Sequence, residues 1–194
     1  GLPLWKAAGG ARPKVPAYTT EGGWLQLSAD ALVAQALEAK GQGFRGAKLK
    51  VGKPHVSEDV GRIRAVREAV GDAFEIMVDA NQCWTVSEAL RRARAFEPFG
   101  LAWLEEPLPA EDLAGHAELA AHTSIPIAVG ESIYHPAHFR EYLERDACSI
   151  VQVDVARIGA HMFRRTKELG KFRIDDLKRL HALEVNGKDF GTEV

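Results

Sequence analysis

Charged residues recur in this chain at the ends of short β-rich runs, at intervals close to the length of one strand-helix unit. Lys50 is followed after 29 residues by Asp79, after 26 by Glu105, after 26 by Glu131 and after 23 by Asp154. The runs themselves are expected strands at 15–19, 46–51, 75–79, 101–105, 125–130 and 149–154. Between them apolar residues lie three and four apart, as in Val60, Ile63, Val66 and Val70, or Leu32, Val33, Ala36 and Leu37. Ser28, Ser57 and Ser87 are expected N-caps, each followed by acidic residues in the first turn. Repeated units of this kind predict an α/β fold with a parallel sheet covered by helices. An open doubly wound sheet would normally carry a glycine-rich nucleotide fingerprint, and neither G-x-G-x-x-G nor a P-loop occurs. A (β/α)₈ barrel of the TIM type explains the spacing better, because its strand C-termini ring one site. About six units are legible, so the barrel is expected to be incomplete.

The residues delivered to that end suggest a chemistry. Asp79, Glu105 and Glu131 follow three successive strands, and crowded carboxylates raise one another's pKa unless a cation joins them. All-oxygen ligation with open positions suits Mg²⁺. Lys48 and Lys50 are two apart on one strand and face the same side, with Leu49 on the other. Two ammonium groups in a poorly solvated place disfavour the doubly charged state, which is the condition for a general base. Together these groups predict removal of the proton beside a substrate carboxylate, with the resulting ene-diolate charge stabilised by the metal. Taken singly, each carboxylate reads equally well as a solvated loop residue or an ion-pair partner; it is the common spacing that favours a site.

Composition narrows the alternatives. A formal net charge of -2 offers no field for nucleic acid or an anionic membrane. No apolar run approaches the roughly 20 residues needed to span a bilayer. The two cysteines, Cys83 and Cys148, make no disulfide framework. With no signal-like start at Gly1, a cytoplasmic protein is expected.

The motifs Ala47-Lys48-Leu49-Lys50-Val51-Gly52, Met77-Val78-Asp79-Ala80-Asn81-Gln82 and Trp103-Leu104-Glu105-Glu106-Pro107 continue into Val129-Gly130-Glu131-Ser132 and Gln152 to Gly159. Over roughly residues 1–160 this text resembles the enolase superfamily, in its mandelate racemase/muconate lactonizing branch. The resemblance implies Asp79, Glu105 and Glu131 as Mg²⁺ ligands, Lys50 as a base and Lys48 beside the substrate carboxylate. It implies Asn81 and Glu106 in the supporting shell, and Asp154 as the partner of a histidine acting on the opposite face. The wording around Asp154 is most similar to the acid-sugar dehydratases of the racemase-like group, in which loss of the α-proton is followed by loss of the β-hydroxyl. The implied partner is a small carboxylate, a sugar acid or 2-hydroxy acid. A racemase, a muconate lactonizing enzyme or a dipeptide epimerase stays open as an isomerase alternative.

The resemblance ends near Ala160. Residues 161–194 are expected to form a charged, helical tail outside the family pattern, in which His181 reads as a helix-packing histidine. His116, His122, His135 and His138 are read in the same way. The family's N-terminal capping domain is expected to be absent. An incomplete barrel leaves sheet edges open, so a homo-oligomer is expected; a non-catalytic partial barrel that self-associates or needs a partner chain is the competing reading.

Overall fold

A computed structural model describes residues 16–158. Six strands, β1 (Tyr18–Thr19), β2 (Gly46–Lys50), β3 (Glu75–Asp79), β4 (Trp103–Glu105), β5 (Ile127–Val129) and β6 (Ile150–Val151), form one sheet in sequential order. Every neighbouring pair is parallel. The crossovers carry α1 (Ala29–Gly41), α2 (Val56–Val70), α3 (Val86–Phe96), α4 (Leu113–Ala121) and α5 (Pro136–Glu144), and a short α6 (Val155–Ile158) follows β6. This is the curled part of a (β/α) barrel that the strand-helix spacing predicts. No described helix is long and apolar enough to cross a membrane.

The local code of these elements is simple. In α3, Ala89, Ala93 and Phe96 are fully buried, one face of a 3.6-residue period. Thr85 caps its start by accepting from the Glu88 N–H. In the strands the period is two, and it sorts residues onto opposite sides of the sheet. Ile76 and Val78 pack outward with Leu49, Leu104 and Ile127 against the helices. Met77 points the other way, into a separate interior cluster with Trp103, Ala128 and Ile150. Lys48 and Asp79 share that interior side with Met77, by alternation from Leu49 and Val78. Burial of one large side chain here is worth about 2–5 kcal/mol against truncation to alanine.

Several expectations need correcting. All the strands but β3 are shorter than the runs that predict them. Ser28 does cap α1, its hydroxyl accepting from Ala31 N–H. Ser57 and Ser87 cap nothing, because each helix starts one residue before them: His55 stands at the N-cap of α2 and Thr85 at that of α3. Glu58 completes the first of these by accepting from His55 N–H at 3.0 Å. Val15, the tail 161–194 and His181 lie outside the described residues.

Candidate active site

The strand register puts three of the expected residues in one row. Lys50 pairs with Asp79 across β2 and β3, and Asp79 pairs with Glu105 across β3 and β4. Their side chains then interlock. Lys50 Nζ donates to Asp79 Oδ2 at 2.6 Å, and Lys48 Nζ donates to Glu105 Oε1 at 2.6 Å while lying 3.3 Å from Asp79 Oδ2. The two ammonium groups thus share one Asp79 oxygen, and Lys48 bridges from it to Glu105. Lys48 is 3% exposed and Lys50 23%, so Lys50 is the one that solvent or a substrate can reach.

Burial works against the ionised form of Asp79, but Lys48 and Lys50 outweigh it and hold the carboxyl below its usual range. Glu105 differs. Burial pushes it up to about 7 in spite of Lys48, and the Asp79 charge adds to the rise. Its second oxygen, Oε2, accepts from Trp103 Nε1 at 3.0 Å and from Gln152 Nε2 at 2.8 Å. Asp79 Oδ1 accepts from the Asn81 N–H at 2.9 Å, so Asn81 supports the site through its backbone.

Glu131 stands apart from this row. The β5 partner of Glu105 is Ala128, and Glu131 lies three residues beyond it, past the end of the strand. Between them Gly130 has φ +151°, and a Cβ there would sit 2.1 Å from the Gln152 carbonyl oxygen. Only glycine lets β5 run this close to β6 before the turn. Glu131 is 36% exposed and pairs with Arg157 Nη2 at 3.0 Å. Arg157 also reaches Asp154, which accepts from the Arg157 N–H at 3.1 Å at the start of α6. Asp154 thus caps a short helix. Among the described residues, no three His, Cys, Asp or Glu side chains are grouped closely enough to hold a metal ion.

Behind the row, the turns after β3, β4 and β5 are fastened together. Asn81, Gln82 and Glu106 all have positive φ, between 38° and 62°. Gln82 Nε2 donates to Ser132 Oγ at 2.7 Å and to Glu106 Oε2 at 3.3 Å, while Gln82 Oε1 accepts from the Ala110 N–H at 2.8 Å. Glu106 Oε1 accepts from Ser132 N–H at 3.0 Å. Burial raises the Glu106 pKa, that hydrogen bond notwithstanding. Glu106 therefore supports the loop of Glu131 rather than facing the lysines.

The Enolase C-terminal domain-like family matches residues 31–169. The chain belongs to this family. It falls in the mandelate racemase/muconate lactonizing branch of the enolase superfamily. An L-talarate/galactarate dehydratase of Salmonella typhimurium is 44% identical over 159 residues, 82% of this chain and 40% of that relative. A 3,6-anhydro-alpha-L-galactonate cycloisomerase of Streptomyces coelicolor is 42% identical over 171 residues, covering 87% and 47%. The crystal structure of L-talarate dehydratase from a Polaromonas species, complexed with Mg and L-glucarate, superposes with a TM-score of 0.79 at 40% identity, covering 87% of this chain and 47% of that one. This enolase-superfamily chain spans less than half the length of these relatives.

Three contributors to this enolase-family site carried no role in the sequence reading: Gln82, Gln152 and Arg157. Each lies inside one of the quoted motifs, one to three residues from an expected site residue or beyond a strand end, and that proximity was the available signal.

Proposed function

We propose that the chain carries the proton-abstracting end of a magnesium-dependent acid-sugar dehydratase. The observation that supports it is the row Lys50–Asp79–Glu105, its carboxylates buried and Lys48 set between them. The cycloisomerase relative keeps isomerisation open as a variant of the same proton removal.

The donors suit a hard divalent cation by type, all of them carboxylate oxygens, and Glu131 would have to turn toward Asp79 and Glu105 to complete the set. Asp79 and Glu105 offer oxygens on adjacent strand ends, with the Lys48 ammonium on one Glu105 oxygen. Asp79, Glu105 and Glu131 would hold the ion, with Glu131 exchanging its contact to Arg157. A bound ion supplies Lewis-acid stabilisation for the charge that a carboxylate gains when its α-carbon loses a proton. The chain's own residues do the rest. Lys50, the exposed lysine, takes the α-proton at Nζ. Lys48 keeps a fixed positive charge in the interior beside the substrate carboxylate. Gln152 and Trp103 orient Glu105 through its second oxygen. The β-hydroxyl would then leave as water, taking the proton that Lys50 removed from the α-carbon, and its departure with the C–O electron pair completes a dehydration.

The test is the thermal midpoint with and without Mg²⁺, for the chain and for Asp79→Asn. A ligand bound only by the native state stabilises by about 2.7 kcal/mol at a hundredfold excess over its dissociation constant. An upward shift that Asp79→Asn abolishes supports the site, and turnover of galactarate, L-talarate or L-glucarate then identifies the substrate. A cooperatively folded chain indifferent to Mg²⁺ would overturn the reading.

A further inference from the structure

Three charged side chains are buried behind β2, on the helix side of the sheet. Asp59 and Arg62 come from α2 and Arg92 from α3, and their exposures are 0%, 7% and 3%. Asp59 Oδ2 accepts from Arg92 Nη1 at 2.6 Å, and Arg62 Nη1 lies 3.5 Å from Asp59 Oδ1. Glu88 partners Arg92 on its other side, and the Trp84 ring lies beneath its guanidinium at 5.1 Å. Burying such ions costs several kcal/mol each, and apolar residues of similar volume often pack as well or better. Packing alone therefore does not explain them.

Their remaining hydrogen bonds do. Arg62 Nη1 donates to the Lys50 carbonyl at 2.8 Å. Asp59 Oδ2 accepts from the Gly52 N–H at 2.9 Å and the Lys53 N–H at 3.1 Å. Arg92 Nη2 donates to the Lys53 carbonyl at 2.8 Å. All four backbone groups belong to the stretch that leaves the sheet directly after Lys50, where ladder bonds run out and a backbone polar group must find another partner. Arg62 Nη2 adds the Trp24 carbonyl at 3.0 Å, tying the loop after β1 to the same strand end. Apolar side chains could fill this space but could not hold that backbone.

We propose that Asp59, Arg62 and Arg92 are positioning residues for Lys50: they fix the backbone from which its ammonium reaches Asp79. This deepens the proposed function and rests on it only in reading Lys50 as the base. The network touches neither the substrate side of the sheet nor the row of carboxylates. Its effect on Lys50 passes through backbone, that of Lys50–Lys53 and that of the Trp24 loop.

The experiment compares Arg62→Met, Arg62→Lys and Asp59→Asn with Val66→Ala, a core truncation on the same helix that lowers stability without touching the network. The first readout needs no turnover: acetic anhydride labelling of Lys50 at one fixed pH, measured by peptide mass spectrometry relative to Lys40. Lys50 labelling is expected to rise severalfold in Arg62→Met and Asp59→Asn, to fall back toward wild type in Arg62→Lys, and to stay at wild type in Val66→Ala. The second readout is steady-state kinetics on the acid sugar that the wild type turns over, where kcat falls about tenfold to a hundredfold with KM little changed. Equal Lys50 labelling in Arg62→Met, Val66→Ala and wild type would overturn the proposal even in an active enzyme. Altered labelling in a chain that turns over no acid sugar would uphold the positioning while removing the base assignment.

Discussion

Lys48 Nζ lies 2.6 Å from Glu105 Oε1 and 3.3 Å from Asp79 Oδ2, and all three side chains are closed to solvent. One ammonium group thus compensates two buried carboxylates, with Lys50 as the second partner of Asp79 alone. Removing one member of a buried ionic cluster is costed by what it strands. Lys48→Met is expected to lose about 3–5 kcal/mol, because among the described residues Glu105 keeps no other cation. Adding Glu105→Gln should recover a large part of that loss. Urea unfolding of both variants decides it, and equal midpoints for the single and double variants would refute the stranded-charge account.

Arg157 and Glu131 are each about one-third exposed, so their ion pair is worth about 0–1 kcal/mol. If Glu131 exchanges Arg157 for a magnesium ion, Arg157→Met should tighten Mg²⁺ binding, by no more than about fivefold on that energy. Isothermal titration with magnesium chloride measures this. Weaker binding would mean that Arg157 instead holds Glu131 in place for the ion.

Gly130→Ala should disturb two things at once. Its Cβ would meet the Gln152 carbonyl oxygen at 2.1 Å, and φ +151° is strained for any L side chain. A stability loss of about 1–3 kcal/mol is expected from the backbone conformation alone. The neighbouring Glu131 should also lose its position, lowering Mg²⁺ affinity more than Arg157→Met could raise it. A midpoint at the wild-type value would show that β5 and β6 can separate freely.

His116 gives the fold a pH dependence. The ring is 1% exposed, and burial pushes its pKa below the usual 6.5 even though the Asp112 carbonyl lies 2.9 Å from Nδ1. Below pH 6.5 the unfolded chain takes up a proton that the folded chain resists. Stability from this group is therefore complete above that pH and is lost as pH falls toward the depressed folded value. Comparing urea midpoints at about pH 7.5 and about pH 5.5, the wild type should lose more than His116→Gln. Parallel behaviour of the two would assign the acid sensitivity elsewhere.

Signals carried by neighbouring residues were legible in the sequence, and long-range ones were not. Lys50, Asp79 and Glu105 were legible because a two-residue period and a regular unit length together fix both face and height on adjacent strands. The step to Glu131 has the same length as the one before it, yet it overshoots the row. A turn at Gly130 absorbs residues that the spacing counts as strand. Asp59 was legible only as an acidic residue in the first turn of α2; nothing nearby in sequence marks a carboxylate whose partners are an arginine on the next helix and the backbone of a preceding loop. Ser57 and Ser87 misled for a smaller reason. A capping side chain must stand immediately before the helix, and both helices start one residue earlier.

Gln82 reaches from the turn after β3 to Ser132, Glu106 and Ala110, on the turns after β4 and β5. A rim stitched by one amide opens as a unit. The N–H groups of Ala110 and Ser132, far apart in sequence, should then exchange with deuterium in a shared event, and the mouth of the barrel should breathe as one hinged collar instead of as separate loops.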